Sequence, residues 1–245
     1  MGKALTIGGW LRWELIRRLI PPDTESVLEI GVGRGALGRL LARKQAVYVG
    51  AEIDPTSFEI ARPHIEANGG ILVRTIDDLD PERAFDLLCA FEVLEHIEDD
   101  REQLQRWSAR VRPGGSVLLS VPAHPERCGP HDVLAGHYRR YTRAGLRQLV
   151  HDAGLEKVVV WAYGWPLNYA LERIRNAVAE RHDKSELPME QRTHDSGRFL
   201  QPPNWLAPAT MAVAAPFRLL QLPLRETNLG TGWVARGRAP EAAPR

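Results

Sequence analysis

Residues 27–35 read V-L-E-I-G-V-G-R-G, an apolar run that passes straight into a turn with glycines at Gly31, Gly33 and Gly35. Glycine reaches positive φ at little steric cost and lets a ligand approach the backbone closely. Two residues before the first glycine stands Glu29. A carboxylate there suits a ligand that carries positive charge or several donors, and does not suit a pyrophosphate. A second acid, Glu52, follows the apolar run A-V-Y-V-G-A of residues 46–51. An acid at the tip of the second strand of a nucleotide-binding fold grips ribose hydroxyls. Together these residues predict a ligand that contains adenosine.

The glycines alone leave two ligands open. Gly33-x-Gly35-x-x-Gly38 matches the dinucleotide fingerprint G-x-G-x-x-G, whereas Gly31-x-Gly33-x-Gly35 matches the looser pattern of S-adenosylmethionine (SAM) sites. Three signals favour SAM. One is Glu29. Another is F-D-L-L-C-A-F-E-V-L-E-H-I (85–97), an apolar strand that ends in an acidic, histidine-bearing turn, and the third is V-R-P-G-G-S-V-L-L-S-V-P (111–122). With V-L-E-I-G-V-G-R-G-A-L and Y-V-G-A-E-I-D-P, these segments resemble class I SAM-dependent methyltransferases over residues 25–162, in order and in spacing. Within that superfamily the chain is similar to small-molecule methyltransferases that carry a V-L-E-H turn. An NAD(P)-dependent oxidoreductase, the alternative, predicts a paired Tyr/Lys set after the fourth or fifth strand, and none is found. A non-catalytic partner protein predicts a damaged cofactor loop, and this loop is intact. The N-P-P-Y type motif of amide and adenine methyltransferases is absent after strand four, where F-E-V-L stands. That argues against DNA adenine as a substrate.

The resemblance implies SAM as cofactor and a role for each matching position. Glu29, Gly31, Gly33 and Gly35 would line its methionine end. Glu52 would take the ribose hydroxyls and Ile53 would flank the adenine. Asp77, with Asp78 beside it, falls where the family places an acid or amide near the adenine amino group. Phe91 and Glu92 would touch the cofactor, and His96 on the same turn is a candidate substrate contact. The acceptor would be a small or lipid-like molecule methylated at oxygen, with N- or C-methylation of a secondary metabolite as the other outcome.

The second dense cluster is S-V-P-A-H-P-E-R-C-G-P-H-D-V-L-A-G-H-Y-R-R-Y-T (120–142), which follows the fifth strand. It opens at the carboxyl edge of the sheet, where ligands bind in such folds. Its G-H-x-R-R-Y-T string also resembles a subset of these methyltransferases. His124, His131, His137 and Tyr141 are the candidate general bases, led by His124 because it is nearest the strand end. Arg139 and Arg140 could clamp a carboxylate or phosphate. The competing structural role is bracing of the loop by His137 and Arg139, with Thr142 as the N-cap of the next helix. His124, Cys128, His131 and His137 are metal-capable, but their spacing matches no compact zinc pattern and Asp132 stands nearly alone. No metal is expected.

These residues need elements to position them. Apolar residues from Trp10 to Ile20 alternate with Arg12, Glu14, Arg17 and Arg18, as in an amphipathic helix that packs on a sheet and stops at Pro21-Pro22. Strands at 27–31, 46–51, 71–74, 85–91, 116–121 and 156–162 alternate with helices near 35–44, 56–67, 99–111 and 142–153. That order predicts an α/β, Rossmann-like, mostly parallel sheet with helices on both faces. The resemblance raises the count to seven strands, with 156–162 and 232–238 as a C-terminal reversed β-hairpin carrying a long helical insertion.

The expected organisation is one methyltransferase domain over 1–245. It comprises an N-terminal helix (1–24), a SAM-binding core (25–163), an insertion or lid (164–228), a last strand (229–239) and a tail (240–245). Residues 182–204 read as a polar loop. The apolar segment 205–222 reads as a lid, a homodimer contact or a membrane-surface element. Lysine plus arginine total 32 against 31 aspartate plus glutamate, so bulk charge points to no nucleic-acid partner. Two cysteines and no signal peptide predict a reducing, cytoplasmic setting.

Overall fold

The computed structural model describes residues 5–180 and 204–242. Residues 1–4, the segment 181–203 that contains nearly all of the expected polar loop, and tail residues 243–245 lie outside them. Among the described residues seven strands form one sheet. They are β1 (Ser26–Ile30), β2 (Val47–Ala51), β3 (Ile71–Val73), β4 (Phe85–Phe91), β5 (Val111–Pro122), β6 (Glu156–Tyr163) and β7 (Gly232–Arg238), in the order β3-β2-β1-β4-β5-β7-β6. β1 through β5 pair in parallel, while β7 runs antiparallel to both β5 and β6. The reversed hairpin and the strand count agree with expectation.

Side chains alternate across the pleat, so adjacent residues feed opposite cores. Leu28, Leu88, Val117 and Leu119 pack with Leu104 and Trp107 of α4 (Asp100–Ser108) and with Leu146 and Leu149 of α6 (Arg143–Asp152). Val27, Leu87, Cys89 and Leu118 face the other way. They meet Leu15 and Ile16 of α1 (Ile7–Leu19), Leu41 of α2 (Gly38–Ala42) and Ile65 of α3 (Pro55–Glu66). Both faces of the parallel strands are therefore buried, as their near-continuous apolar runs require.

Two elements differ from the sequence expectation. The helix after the glycine turn starts at Gly38 and is only five residues long. Gly31, Gly33 and Gly35 have φ of 68°, 57° and 79°, so every second residue of the turn is left-handed and a right-handed helix cannot begin inside it. β5 begins at Val111, because Val111 already pairs with Phe85 before a register shift carries R-P-G-G through a bulge.

Between β6 and β7 lie α7 (Leu167–Ala179) and α8 (Ala207–Leu220). α8 docks on α1. Arg218 donates to the buried Glu14 at 2.7 and 3.0 Å, and Gln221 Nε2 donates to the Leu11 carbonyl at 2.9 Å. Gln221 Oε1 also accepts the Gly164 N–H at 3.0 Å, which ties the insertion to the end of β6. Met211, Val213, Leu219 and Leu220 of α8 remain exposed. Among the described residues no helix is long and apolar enough to cross a membrane.

The turn sits on β2 through one missing side chain. A Cβ at Gly50 would lie 2.6 Å from Cγ2 of Val32 and 2.9 Å from Cδ1 of Leu72. Overpacking of this kind costs about 1–3 kcal/mol. Gly50→Ala should lower stability by that amount in urea unfolding, with the denaturant slope unchanged; an unchanged midpoint would show that Val32 moves freely.

Candidate functional site

The turn after β1 leaves space. A Cβ on Gly33 would meet nothing within 4 Å. Glu52, at the tip of β2, clasps the turn from the side. Its Oε2 accepts the Gly33 N–H at 2.6 Å and its Oε1 accepts the Asp54 N–H at 2.8 Å. Burial raises the Glu52 carboxyl, against the lowering by those two donors. Each oxygen keeps a lone pair for a further donor. Ile53 is 75 % exposed beside it, an apolar surface next to the ribose-type acid.

Glu29 lies elsewhere than the sequence suggests. It is 2 % exposed, under the turn on the α1/α2/α3 face, and its Oε2 accepts the Tyr48 hydroxyl at 2.6 Å. Burial pushes its carboxyl up to about 7, against the Tyr48 hydrogen bond and the field of Arg12. Phe91 is also buried on that face. Asp77 is exposed and bound by Arg106, which lowers its carboxyl, while Asp78 caps the short turn through the N–H of Thr75 at 2.9 Å.

Glu92 follows β4 in a left-handed conformation, φ 56°, which a non-glycine residue adopts only when its surroundings impose it. Its Oε1 accepts from Ser120 at 3.0 Å and Tyr163 at 3.1 Å, and pairs with Arg12 of α1 at 3.0 Å. Burial raises its carboxyl, but Arg12, Ser120 and Tyr163 outweigh that and hold it below the ordinary range.

Glu92 forms one wall of a cavity of about 230 Å³. Thr6, Gly9 and Arg12 come from the start of α1, and Pro122, Tyr163 and Thr231 from the strand ends. His131, Asp132, His137 and Arg140 come from the cluster after β5, and Asn168, Glu172 and Arg175 from α7. The wall is dominated by polar and charged side chains.

Asp132 of α5 (Pro130–Ala135) organises it. Arg140 donates to both of its oxygens, at 2.8 and 2.7 Å, and His137 Nδ1 lies 2.8 Å from Oδ1. Burial raises the Asp132 carboxyl, and these partners more than reverse the shift, to well below the usual range. Arg140 also reaches Glu172 of α7 at 2.5 Å, and Arg127 binds the other Glu172 oxygen. An ionised carboxylate only accepts, so His137 carries its hydrogen on Nδ1 and presents Nε2 as the basic nitrogen. His131 is held neutral, lowered to about 4 by burial and by Arg175.

Other candidates are not brought there. Tyr141 donates its hydroxyl to Asp100 at 2.8 Å, and burial with that carboxylate pushes the phenol up. Arg139 pairs with the same Asp100 at 3.1 Å and with the Glu98 carbonyl. Both residues brace the loop, and Thr142 caps α6 through the Gly145 N–H at 2.9 Å; the structural alternative anticipated Arg139 and Thr142 in these roles but not Tyr141. His124 packs its ring 5.3 Å from that of Trp233, with Nδ1 3.2 Å from Glu126, and does not line the cavity. Its left-handed backbone, φ 66°, turns the chain away from the strand end, so nearness in sequence misleads. His96 stands behind His137, ring centroids 4.7 Å apart, and burial lowers it to about 4.

Sequence reasoning gave Arg12 no role in a site and weighed Asp132 only as an isolated carboxylate for a metal. Arg12 reads as one polar position of an amphipathic helix, and nothing in its neighbours marks it. Asp132 stands eight residues from the arginine that holds it.

A Rossmann-like sheet with a reversed final hairpin and an open glycine turn clasped by an acid defines the class I SAM-dependent methyltransferase fold. Residues 11–160 match the family described as a methyltransferase domain, and the chain belongs to it. SAM is the cofactor of this class, and the empty space before Gly33 with the acceptor groups of Glu52 beside it fits an adenosyl ligand. The chain is 36 % identical over 101 residues to a ubiquinone biosynthesis O-methyltransferase of Paramagnetospirillum magneticum; the match covers 40 % of this chain and 41 % of that protein. The chain thus spans about two fifths of the length of that curated relative. A Haloferax volcanii methyltransferase, solved in complex with the Trm112 activator, aligns with TM-score 0.60 at 16 % identity, covering 97 % of this chain and 92 % of that one. Phosphoethanolamine N-methyltransferase 2 of Haemonchus contortus, solved with SAM, aligns with TM-score 0.58 at 17 % identity, covering 96 % of this chain and 53 % of that one. At such identities the structures show the shared fold.

Glu29 gives a pH signature. A carboxyl raised to about 7 by burial favours the folded state while protonated; that contribution is complete below about 4.5 and is lost as pH rises through about 7. Glu29→Gln keeps the acceptor for Tyr48 and removes the titration. The variant should gain a few kcal/mol on the parent between pH 5 and pH 8 in urea unfolding. Parallel stability curves would place the Glu29 carboxyl in an ordinary environment.

Proposed function

We propose that this chain transfers a methyl group from SAM to a hydroxyl oxygen of a small acceptor held in the cavity between α1, α5 and α7. The observation that carries this is the His137–Asp132 pair, which faces the cavity beside Glu92 at the end of β4. The curated relative's printed name, a ubiquinone biosynthesis O-methyltransferase, supports oxygen as the methylated atom.

Bound SAM supplies an activated methyl on its sulfonium sulfur. Gly31, Gly33 and Gly35 would hold its methionine end, Glu52 would take the ribose hydroxyls, and Ile53 would flank the adenine. Glu29 supports the turn from beneath through Tyr48. The acceptor hydroxyl loses its proton on the His137 side of the cavity. With SAM bound, that oxygen would form the new C–O bond as the C–S bond breaks, the electron pair remaining on sulfur. Holding oxygen and methyl in line at near-attack distance supplies much of the rate. Arg12 fixes Glu92 at the boundary between the two sites, and Arg140 keeps Asp132 ionised so that His137 stays oriented.

Within the expected insertion 164–228, α7 serves as the acceptor wall of a single methyltransferase domain whose SAM-binding core is 25–163. Asn168, Glu172 and Arg175 are its contribution to the cavity. The exposed apolar face of α8 suits an acceptor with a greasy body, delivered from a lipid-like phase.

The test is methyl transfer to a panel of phenolic and catecholic acceptors, followed as S-adenosylhomocysteine formed. His137→Asn should lower turnover about 10²–10⁴-fold, the range for loss of proton-transfer assistance, with SAM affinity kept. His124→Asn should keep full turnover. The opposite pattern would place the acceptor outside this cavity.

A further inference from the structure

Three carboxylates stand in the cavity wall, and each has an arginine. Arg12 holds Glu92 at 3.0 Å, Arg140 holds Asp132 at 2.7 Å, and Arg127 holds Glu172. A fourth arginine, Arg175 of α7, also lines the cavity. Among the described residues it has no ion pair, and its buried Nε has no hydrogen-bond partner. A guanidinium stays charged and offers five donors, so an arginine left without a carboxylate keeps one positive charge uncompensated in the wall. His131 registers that field: burial lowers it to about 4, and Arg175 adds to the lowering.

The rest of α7 and the start of α1 face the same space. Asn168, Glu172 and Arg175 fall at i, i+4 and i+7, on one side of the helix, and all three line the cavity. Glu172 is taken by Arg140 and Arg127. Asn168 is 3 % exposed, yet its Oδ1 has no partner. Buried polar atoms are rarely left so without a reason, and a half-turn of the amide puts a donor in the same place. A Cβ on Gly8 would lie 3.0 Å from Asn168 Oδ1, so the first turn of α1 abuts Asn168 with no side chain between. The N–H groups of that turn lack intrahelical acceptors, and Thr6 Oγ1 takes only that of Gly9, at 3.0 Å. The positive end of α1 adds to the field of Arg175.

We propose that the acceptor is a hydroxy-carboxylate whose carboxylate binds Arg175, beside Asn168 and the start of α1, while its hydroxyl meets His137. This names the substrate class for the methyl-transfer reading and rests on it. One uncompensated positive charge calls for a monoanion. A phosphate monoester carries about −1.5 to −2 and would set excess negative charge against Glu92, Asp132 and Glu172. A carboxylate also matches the planar fork of a guanidinium through two parallel hydrogen bonds. The cavity, about 230 Å³, is smaller than the roughly 300–1,000 Å³ of drug-sized sites, so the part of the acceptor held there is small. The sequence expectation put the anion clamp on Arg139 and Arg140. Arg140 is taken by Asp132 and Glu172, and Arg139 by Asp100.

The test uses the full chain with S-adenosylhomocysteine present. Calorimetry compares dihydroxybenzoate with dihydroxybenzamide, which keeps the ring and hydroxyls without the charge, and with the matching phosphonate. The parent should bind the benzoate about tenfold or more tighter than either of the others. Arg175→Gln should bring the benzoate-to-benzamide ratio close to one, and Arg175→Lys, which keeps the charge without the fork, should retain part of it. Damage to the fold or to the cavity's shape weakens both probes alike, so the ratio reads charge recognition. A parent with no preference for the benzoate, whether it binds all three probes or none, would overturn the proposal. So would an Arg175→Gln variant that keeps the preference, or one that loses SAM affinity instead, which would assign the arginine to the cofactor. Methyl transfer from SAM on the same samples separates the two inferences. Carboxylate preference without methyl transfer would uphold the anion site and contradict methyl transfer; equal transfer to benzoate and benzamide would do the reverse.

Discussion

Asp132 is the carboxylate on which the acceptor side depends. It takes two hydrogen bonds from Arg140, one from Gly129 and one from His137, and through Arg140 it connects to Glu172 of α7. The loop after β5 and α7, two separate segments of the chain, thus meet on one buried ionic cluster. Removing one partner of such a pair leaves the other charge buried and alone, which costs several times what the intact pair contributes. The arrangement therefore fixes geometry more than it adds stability. What it fixes is the tautomer and direction of one imidazole at the edge of a cavity.

The cofactor side rests on a different economy. The glycine turn has no side chains to hold it, so it is held from beneath and from the side. Gly50 leaves room for Val32, and Glu52 takes the Gly33 N–H. Arg12 and Glu92 stand where the two sides meet, one from the first helix and one from the end of β4. The N-terminal helix is thus both a core element, through Leu15 and Ile16, and part of the cavity wall.

Much of the fold was legible because periodicity and glycine placement are local signals. Apolar runs marked six parallel-sheet and hairpin strands to within a few residues, and the V-L-E-I-G-V-G-R-G turn falls where expected. The start of α2 was not legible, since it depends on left-handed backbone at three alternate residues, Gly31, Gly33 and Gly35. The site was legible in its residue types but not in its partnerships. His124 is nearest the strand end in sequence, yet its backbone turns its ring onto Trp233. Tyr141 and Arg139 lie among the other candidates but are drawn to Asp100, about forty residues earlier in the chain. Glu29 was read as facing the ligand because it precedes the turn, whereas the pleat sends its carboxyl to Tyr48. In each case a long-range partner decided the side chain's direction, and one sequence does not display such partners.

The central claim is that the clasped glycine turn is built for SAM. The most direct measurement is a calorimetric titration of the purified chain with SAM and, separately, with NAD. One SAM bound per chain, weakened strongly by Glu52→Ala and not displaced by NAD, is the expected result. NAD binding without SAM binding would contradict it.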